Sequence, residues 1–170
     1  MTTMQRIIVG GDHTPAASAA LRWAVAQAAG SGAYVCVVHA FDVAGRADLA
    51  LERDLDRARR DSRYRTQSWV VEVLGETAGS VPVTVSTPDG SVVGALVAAA
   101  HDASMVVIGR PRSRHNRRLA ERVARSCACP VVTIGADAEI VASVDGGAQS
   151  AGGLEHSRQR GRQQREQVLA

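Results

Sequence analysis

The residues with the most chemical potential lie just past a run of β-branched side chains. Met105-Val106-Val107-Ile108 reads as a buried strand ending on Gly109, and arginines follow at 110, 112, 114, 117 and 118. A glycine leaving a strand toward a helix is where α/β proteins often hold phosphates, because bare backbone N–H groups can approach the oxygens. A guanidinium reaches the same group differently, through two parallel hydrogen bonds. Between Arg110 and Arg125 there are seven Arg and one Glu, a local charge of +6 that would draw a phosphate-bearing partner. The alternative is a solvated helix face whose arginines keep it soluble. Asp12, just after Ile7-Ile8-Val9-Gly10-Gly11, is the second candidate. Its carboxylate can accept hydrogen bonds from a ribose or base, or it can brace the turn before the next helix. If the two strands are neighbours, Asp12 and Gly109 face one crevice outside their carboxyl ends.

Several familiar chemistries find no support. No Gly-x-Gly-x-x-Gly follows the first strand, and no Gly-Lys-Ser or Gly-Lys-Thr phosphate loop occurs. Cys127 and Cys129, with Cys36 and His39, have Cys-x-Cys rather than Cys-x-x-Cys spacing, which reads as buried thiols and no metal site. His13, His39, His101, His115 and His156 show no pairing by spacing, and no Gly-x-Ser-x-Gly elbow is present. Nothing reads as a nucleophile with its base, so no catalysis is expected.

These residues need a scaffold. The chain has 170 residues, 45% of them hydrophobic, with one Phe, two Tyr and two Trp. Small aliphatic side chains must therefore fill the core, which favours helices lying close on a sheet. So few aromatics argue against stacking the bases of single-stranded nucleic acid. All 20 basic residues are Arg, as a GC-rich coding sequence would give. The odd number of Cys, with no charged-then-apolar leader and no apolar run of membrane length, leads us to expect a cytoplasmic protein with reduced thiols and no membrane contact.

Strands are expected at 6–11, 33–40, 81–86, 105–108 and 130–134, alternating with helices at 15–29, 47–75, 91–101 and beyond Leu119. Thr14 is a good N-cap with Pro15 at the first helical position, and Gly30-Ser31-Gly32 ends that helix. Pro82 suits an edge strand. Leu119, Val123 and Cys127 fall on one helical face. Such alternation implies right-handed crossovers and a parallel sheet in a three-layer α/β sandwich. Residues 136–170 are expected to form a flexible tail, with at most a weak helix at 162–170.

Ile7-Ile8-Val9-Gly10-Gly11-Asp12-His13-Thr14-Pro15, Ala20-Leu21-Arg22-Trp23-Ala24 and Val37-Val38-His39-Ala40 resemble the universal stress protein family. So do residues 102–109 and Val123-x-Arg125-x-x-x-Cys129-Pro130-Val131-Val132, and the resemblance spans about residues 4–135. It implies an adenine nucleotide alpha hydrolase-like fold, with a five-stranded parallel sheet of order 3-2-1-4-5. It also implies a homodimer formed by pairing of the last strand, Val131–Ile134. Nucleotide-binding members carry Gly-x2-Gly-x9-Gly-Ser or Gly-Thr after strand four. Carried over, Gly109 is the first glycine, the second falls on Arg112, and the final pair falls on Arg117-Arg118 in a loop about five residues shorter. Asp12 matches the family's base- or ribose-contacting acid, and Ala40 a backbone contact to adenine. The candidate site is thus Asp12, Ala40, Gly109, Arg110, Arg112, Arg114, Arg117 and Arg118, with ATP or another adenine nucleotide held weakly. The resemblance implies a non-catalytic stress-response domain whose ATP loop has degenerated. A phosphate- or polyanion-binding module built on Arg110–Arg125, and an ATP-binding or ATPase family member, are the alternatives.

Overall fold

The computed structural model describes residues 4–41, 52–110 and 118–146, with only the backbone at positions 52 and 53. Five parallel strands, β1 (Arg6–Gly10), β2 (Tyr34–Val38), β3 (Val83–Ser86), β4 (Met105–Gly109) and β5 (Val131–Ile134), carry a sixth, β6 (Ile140–Val144). The sheet order is β3-β2-β1-β4-β5-β6. The expected order holds, with one strand appended, and Pro82 does precede an edge strand.

Four helices cover the sheet: α1 (Pro15–Ser31), α2 (Glu52–Leu74), α3 (Val92–Ala99) and α4 (Leu119–Ser126). Alternate residues of the central strands feed two cores, as buried parallel strands must. Ile7, Val9, Val35, Val37 and Val107 pack with Leu21, Ala24 and Val70 of α1 and α2. Ile8, Val38, Val106, Ile108 and Val131 pack with Leu96 and Val123 of α3 and α4. Thr14 caps α1, accepting at Oγ1 from Ala17 N at 3.2 Å, and Gly32 ends it at φ 69°. Residues 47–51 of the expected second helix, and residues 162–170, lie outside the described residues.

One expectation needs correction. Residues 140–144 fall within the expected tail, yet they form β6, antiparallel to β5, through a hairpin in which Gly135 N donates to Glu139 O at 2.8 Å. All five β6 residues are exposed, so no face is buried and the hydrophobic alternation that marks a half-buried strand never arises. β6 also lies along the strand named in the homodimer expectation. Val131–Ile134 is flanked by β4 on one side and β6 on the other, so it has no free edge in this fold.

Candidate functional site

The parallel register of β1 with β2 and β4 brings three strand ends together, and a cleft opens there. Its walls are Gly10, Gly11 and Asp12 after β1, Val38, His39 and Ala40 after β2, and Ile108 and Gly109 of β4, closed by Val92, Leu96 and Leu119. This is the crevice expected where the direction of strand addition reverses. The described walls enclose about 100 Å³. That is below the roughly 300–1,000 Å³ of a pocket for a whole drug-sized ligand, and suits one ring or one phosphate group.

The turn after β1 is tightly organised. Asp12 Oδ1 accepts from Thr14 N at 3.1 Å and from Thr14 Oγ1 at 2.6 Å. Asp12 therefore braces the turn while also lining the cleft, so its two readings coexist. Among the described residues none bonds its other oxygen. His13 holds φ 60°, a left-handed conformation that a non-glycine residue adopts only when its surroundings compensate. Its ring stacks on His39 at 4.9 Å between centroids and lies 5.1 Å from Trp69.

Hydrogen bonding settles the tautomers. His39 Nδ1 meets the carbonyl of Gly11, which can only accept, so Nδ1 carries the proton. Thr66 Oγ1 donates to Ser62 O at 2.9 Å and so accepts from His13 Nε2 at 3.2 Å. Burial, then the neighbouring His39, then Arg65, hold the His13 pKa below its ordinary 6.5, against the opposing pull of Asp12. Both imidazoles are thus built into a layer that joins β1, β2 and α2. Trp69 Nε1 extends it by donating to Ser18 Oγ at 3.2 Å.

On the opposite wall, Gly109 is buried, and a Cβ there would lie 2.4 Å from Ala17 N and 2.8 Å from Ala17 Cα. This glycine is what lets α1 press its first turn onto β4. Arg110 N continues the ladder, donating to Ile134 O at 2.7 Å, and the Arg110 side chain is exposed. Arg118 is exposed at the start of α4, beside the cleft-lining Leu119. Arg112, Arg114 and Arg117 lie outside the described residues. The structure therefore gathers Asp12, Ala40 and Gly109 into one cleft, with Arg110 and Arg118 adjoining that wall in the chain.

Cys127 and Cys129 are buried, and burial raises both thiol pKa values, which suits packing rather than reactivity. Among the described residues no group of three or more His, Cys, Asp or Glu is placed to hold a metal, and no helix is long and apolar enough to cross a membrane. The sequence did not disclose the His13–His39–Trp69 layer, nor Val92 and Leu96 as cleft walls. His13 and His39 are far apart in the chain, and only the Gly10–Val38 register sets the turns that carry them side by side.

Solved structures share this architecture. A universal stress protein from Archaeoglobus fulgidus in complex with dAMP is 23% identical with a TM-score of 0.51, covering 78% of this chain and 98% of that one. A universal stress protein in complex with cAMP is 20% identical with a TM-score of 0.54, covering 79% and 99%. A protein of the same family from Burkholderia pseudomallei is 24% identical with a TM-score of 0.52, covering 76% and 95%. No curated protein matches significantly. At these identities the structural likeness establishes the fold, and the sequence adds the rest. The family model described as Universal stress protein family matches residues 3–135, most of the chain, and the protein belongs to that family.

Proposed function

We propose that the protein is a non-catalytic stress-response domain that holds an adenine nucleotide weakly in the cleft between β1 and β4. The observation that carries this reading is the wall formed by Asp12, His39, Ala40 and Gly109 at the sheet's carboxyl end. The dAMP and cAMP complexes of structural neighbours make adenine nucleotides the first ligands to test. Weak binding follows from the sequence after Gly109, which puts Arg112, Arg117 and Arg118 at the positions of the family's loop glycines and Ser or Thr. Each main-chain charge-assisted hydrogen bond lost costs about 1.5–3 kcal/mol. Losing two or three moves a micromolar site to about millimolar or weaker. The absence of catalysis is supported by the commitment of the cleft-lining His39 and its neighbour His13 to the fold, one to Gly11 O and one to Thr66.

Isothermal titration with ATP, AMP and cAMP tests the proposal. Millimolar or weaker affinity for ATP is expected, and a micromolar Kd would overturn the reading. A second reading is favoured by the exposed Arg110 after β4 and the exposed Arg118, Arg122 and Arg125 at and along α4. It takes this patch as a site for a polyanion, and affinity would then fall steeply with salt. The cytoplasm is the compartment consistent with both readings and with three free thiols.

A further inference from the structure

The turn that leads into α3 is held from two sides. On one side the pairing of β2 with β3 runs on past the strand ends. His39 N donates to Ser86 O at 3.0 Å, Phe41 N to Pro88 O at 2.8 Å, and Gly90 N to Phe41 O at 3.1 Å, with the Phe41 side chain buried. On the other side stands Arg59 of α2. Its Nε donates to Asp89 Oδ1 at 3.0 Å and its Nη2 to Asp89 Oδ2 at 2.6 Å, a two-pronged grip that fixes both the place and the angle of the carboxylate. Arg59 Nη1 donates to Asp56 Oδ1 at 3.1 Å, which anchors the guanidinium to its own helix. An exposed ion pair contributes little to global stability, so its effect is to be sought in what it positions.

What it positions is a wall of the cleft. α2 packs on the face of the sheet shared with α1, and α3 packs on the opposite face. Among the described residues, the Arg59–Asp89 grip is the hydrogen-bonded link from α2 to the turn that opens α3. Just past Asp89, Ser91 caps α3, its Oγ accepting from Gly94 N at 3.1 Å, and Val92 begins the helix. Val92 lines the cleft and is 49% exposed, so its position rests on the turn more than on packing. Ala40, joined to Phe41, lines the cleft from the side of β2. Neither Arg59 nor Asp89 is itself a wall.

We propose that Arg59 and Asp89 are positioning residues for the cleft: they strap the turn 88–90 to α2 and so set where Val92 stands. With the pair intact the wall is preformed, and a ligand meets it without first ordering it. With the pair broken, the turn and the first turn of α3 sample displaced positions, and binding must offset the cost of fixing them. That the ligand is an adenine nucleotide rests on the function proposed above; the strap itself does not.

A double-mutant cycle in the full chain tests it. Arg59→Gln and Asp89→Asn each remove a charge and keep a polar side chain of similar length. Amide exchange at Phe41 and Gly90, corrected for intrinsic rates, reads the strap with no ligand present, and NMR titration with AMP reads the cleft. Each single variant and the double are expected to exchange about fivefold faster than wild type at these two amides, the factor that matches the upper end for an exposed pair. The Ile8 and Val107 amides of the central strands should not change. AMP affinity should fall by the same factor in all three variants. Unchanged exchange at Phe41 and Gly90, or single effects that add in the double variant, would overturn the strap. Faster exchange with unaltered AMP affinity would overturn its action on the cleft. A wild type that binds no AMP would overturn the nucleotide reading and the cleft claim together, and exchange would still decide the strap.

Discussion

The two walls of the cleft are built on different principles. After β1, the chain is fixed side chain by side chain: Asp12 onto Thr14, His39 onto Gly11, His13 between His39 and Trp69. After β4, the wall is fixed by the absence of a side chain, since Gly109 admits the first turn of α1 against the strand. One wall is a polar network whose members can be removed one at a time with graded loss. The other is a steric fit, where adding a single carbon is enough to force the layers apart. In this chain the glycine also begins an Arg-rich segment, so Gly109 serves packing whether or not a phosphate ever reaches it.

The steric wall should break hardest. Gly109→Ala sets a Cβ against backbone atoms at 2.4–2.8 Å, and backbone gives way less readily than a side chain. Overpacking of this kind costs about 3 kcal/mol. At about 2–4 °C per kcal/mol, Tm falls by about 6–12 °C in thermal denaturation. Gly10→Ala is the matched control, because its nearest neighbours would be Leu96 carbons at 3.9 Å, an ordinary contact. Equal losses at the two positions would remove the distinction between the walls.

Much of the scaffold was legible in the sequence. The β-branched runs at Ile7–Val9, Val35–Val38, Val106–Ile108 and Val131–Ile134 give buried strands because each run is apolar on both faces. Thr14-Pro15 marks the start of α1 because both residues answer the same unsatisfied N–H groups. What escaped was structure that depends on register or on exposure. β6 has no buried face to advertise it, and the imidazole stack exists only because β1 and β2 align. Asp12 and Gly109 were singled out for ligand chemistry, and the same two residues also turn out to hold the turn and the helix in place.

The hydrogen-bonded wall should fail more gently. Thr14→Ala removes the acceptor for Ala17 N and the hydroxyl that donates to Asp12. Loss of such a cap costs about 1 kcal/mol, within a range of about 0.5–2. Chemical denaturation should show the midpoint lowered with an unchanged slope. Thr14→Ser should recover most of it, since a serine hydroxyl can reach both partners. A serine variant as unstable as the alanine variant would assign the loss to the missing methyl group instead.

The smallest effect concerns protons on the same wall. His13 has a folded pKa below 6.5, because burial and the facing His39 both disfavour its charged form, with Arg65 adding to them and Asp12 opposing. Between that folded value and the unfolded value near 6.5 the unfolded chain binds more protons, so stability must rise with pH there. The contribution is complete above the unfolded pKa and is lost as pH falls through the folded one. Part of the ring remains open to solvent, which keeps this loss below that of removing the Thr14 cap. Urea midpoints measured at descending pH should fall more for the wild type than for His13→Phe, which keeps an aromatic face between His39 and Trp69 but cannot take up a proton. His39 keeps its bond to Gly11 O in both proteins, so the difference between the two curves isolates His13. Parallel curves would mean that the stack tolerates an imidazolium, with the faces of Trp69 and His39 and the Asp12 carboxylate together compensating for the lost solvation.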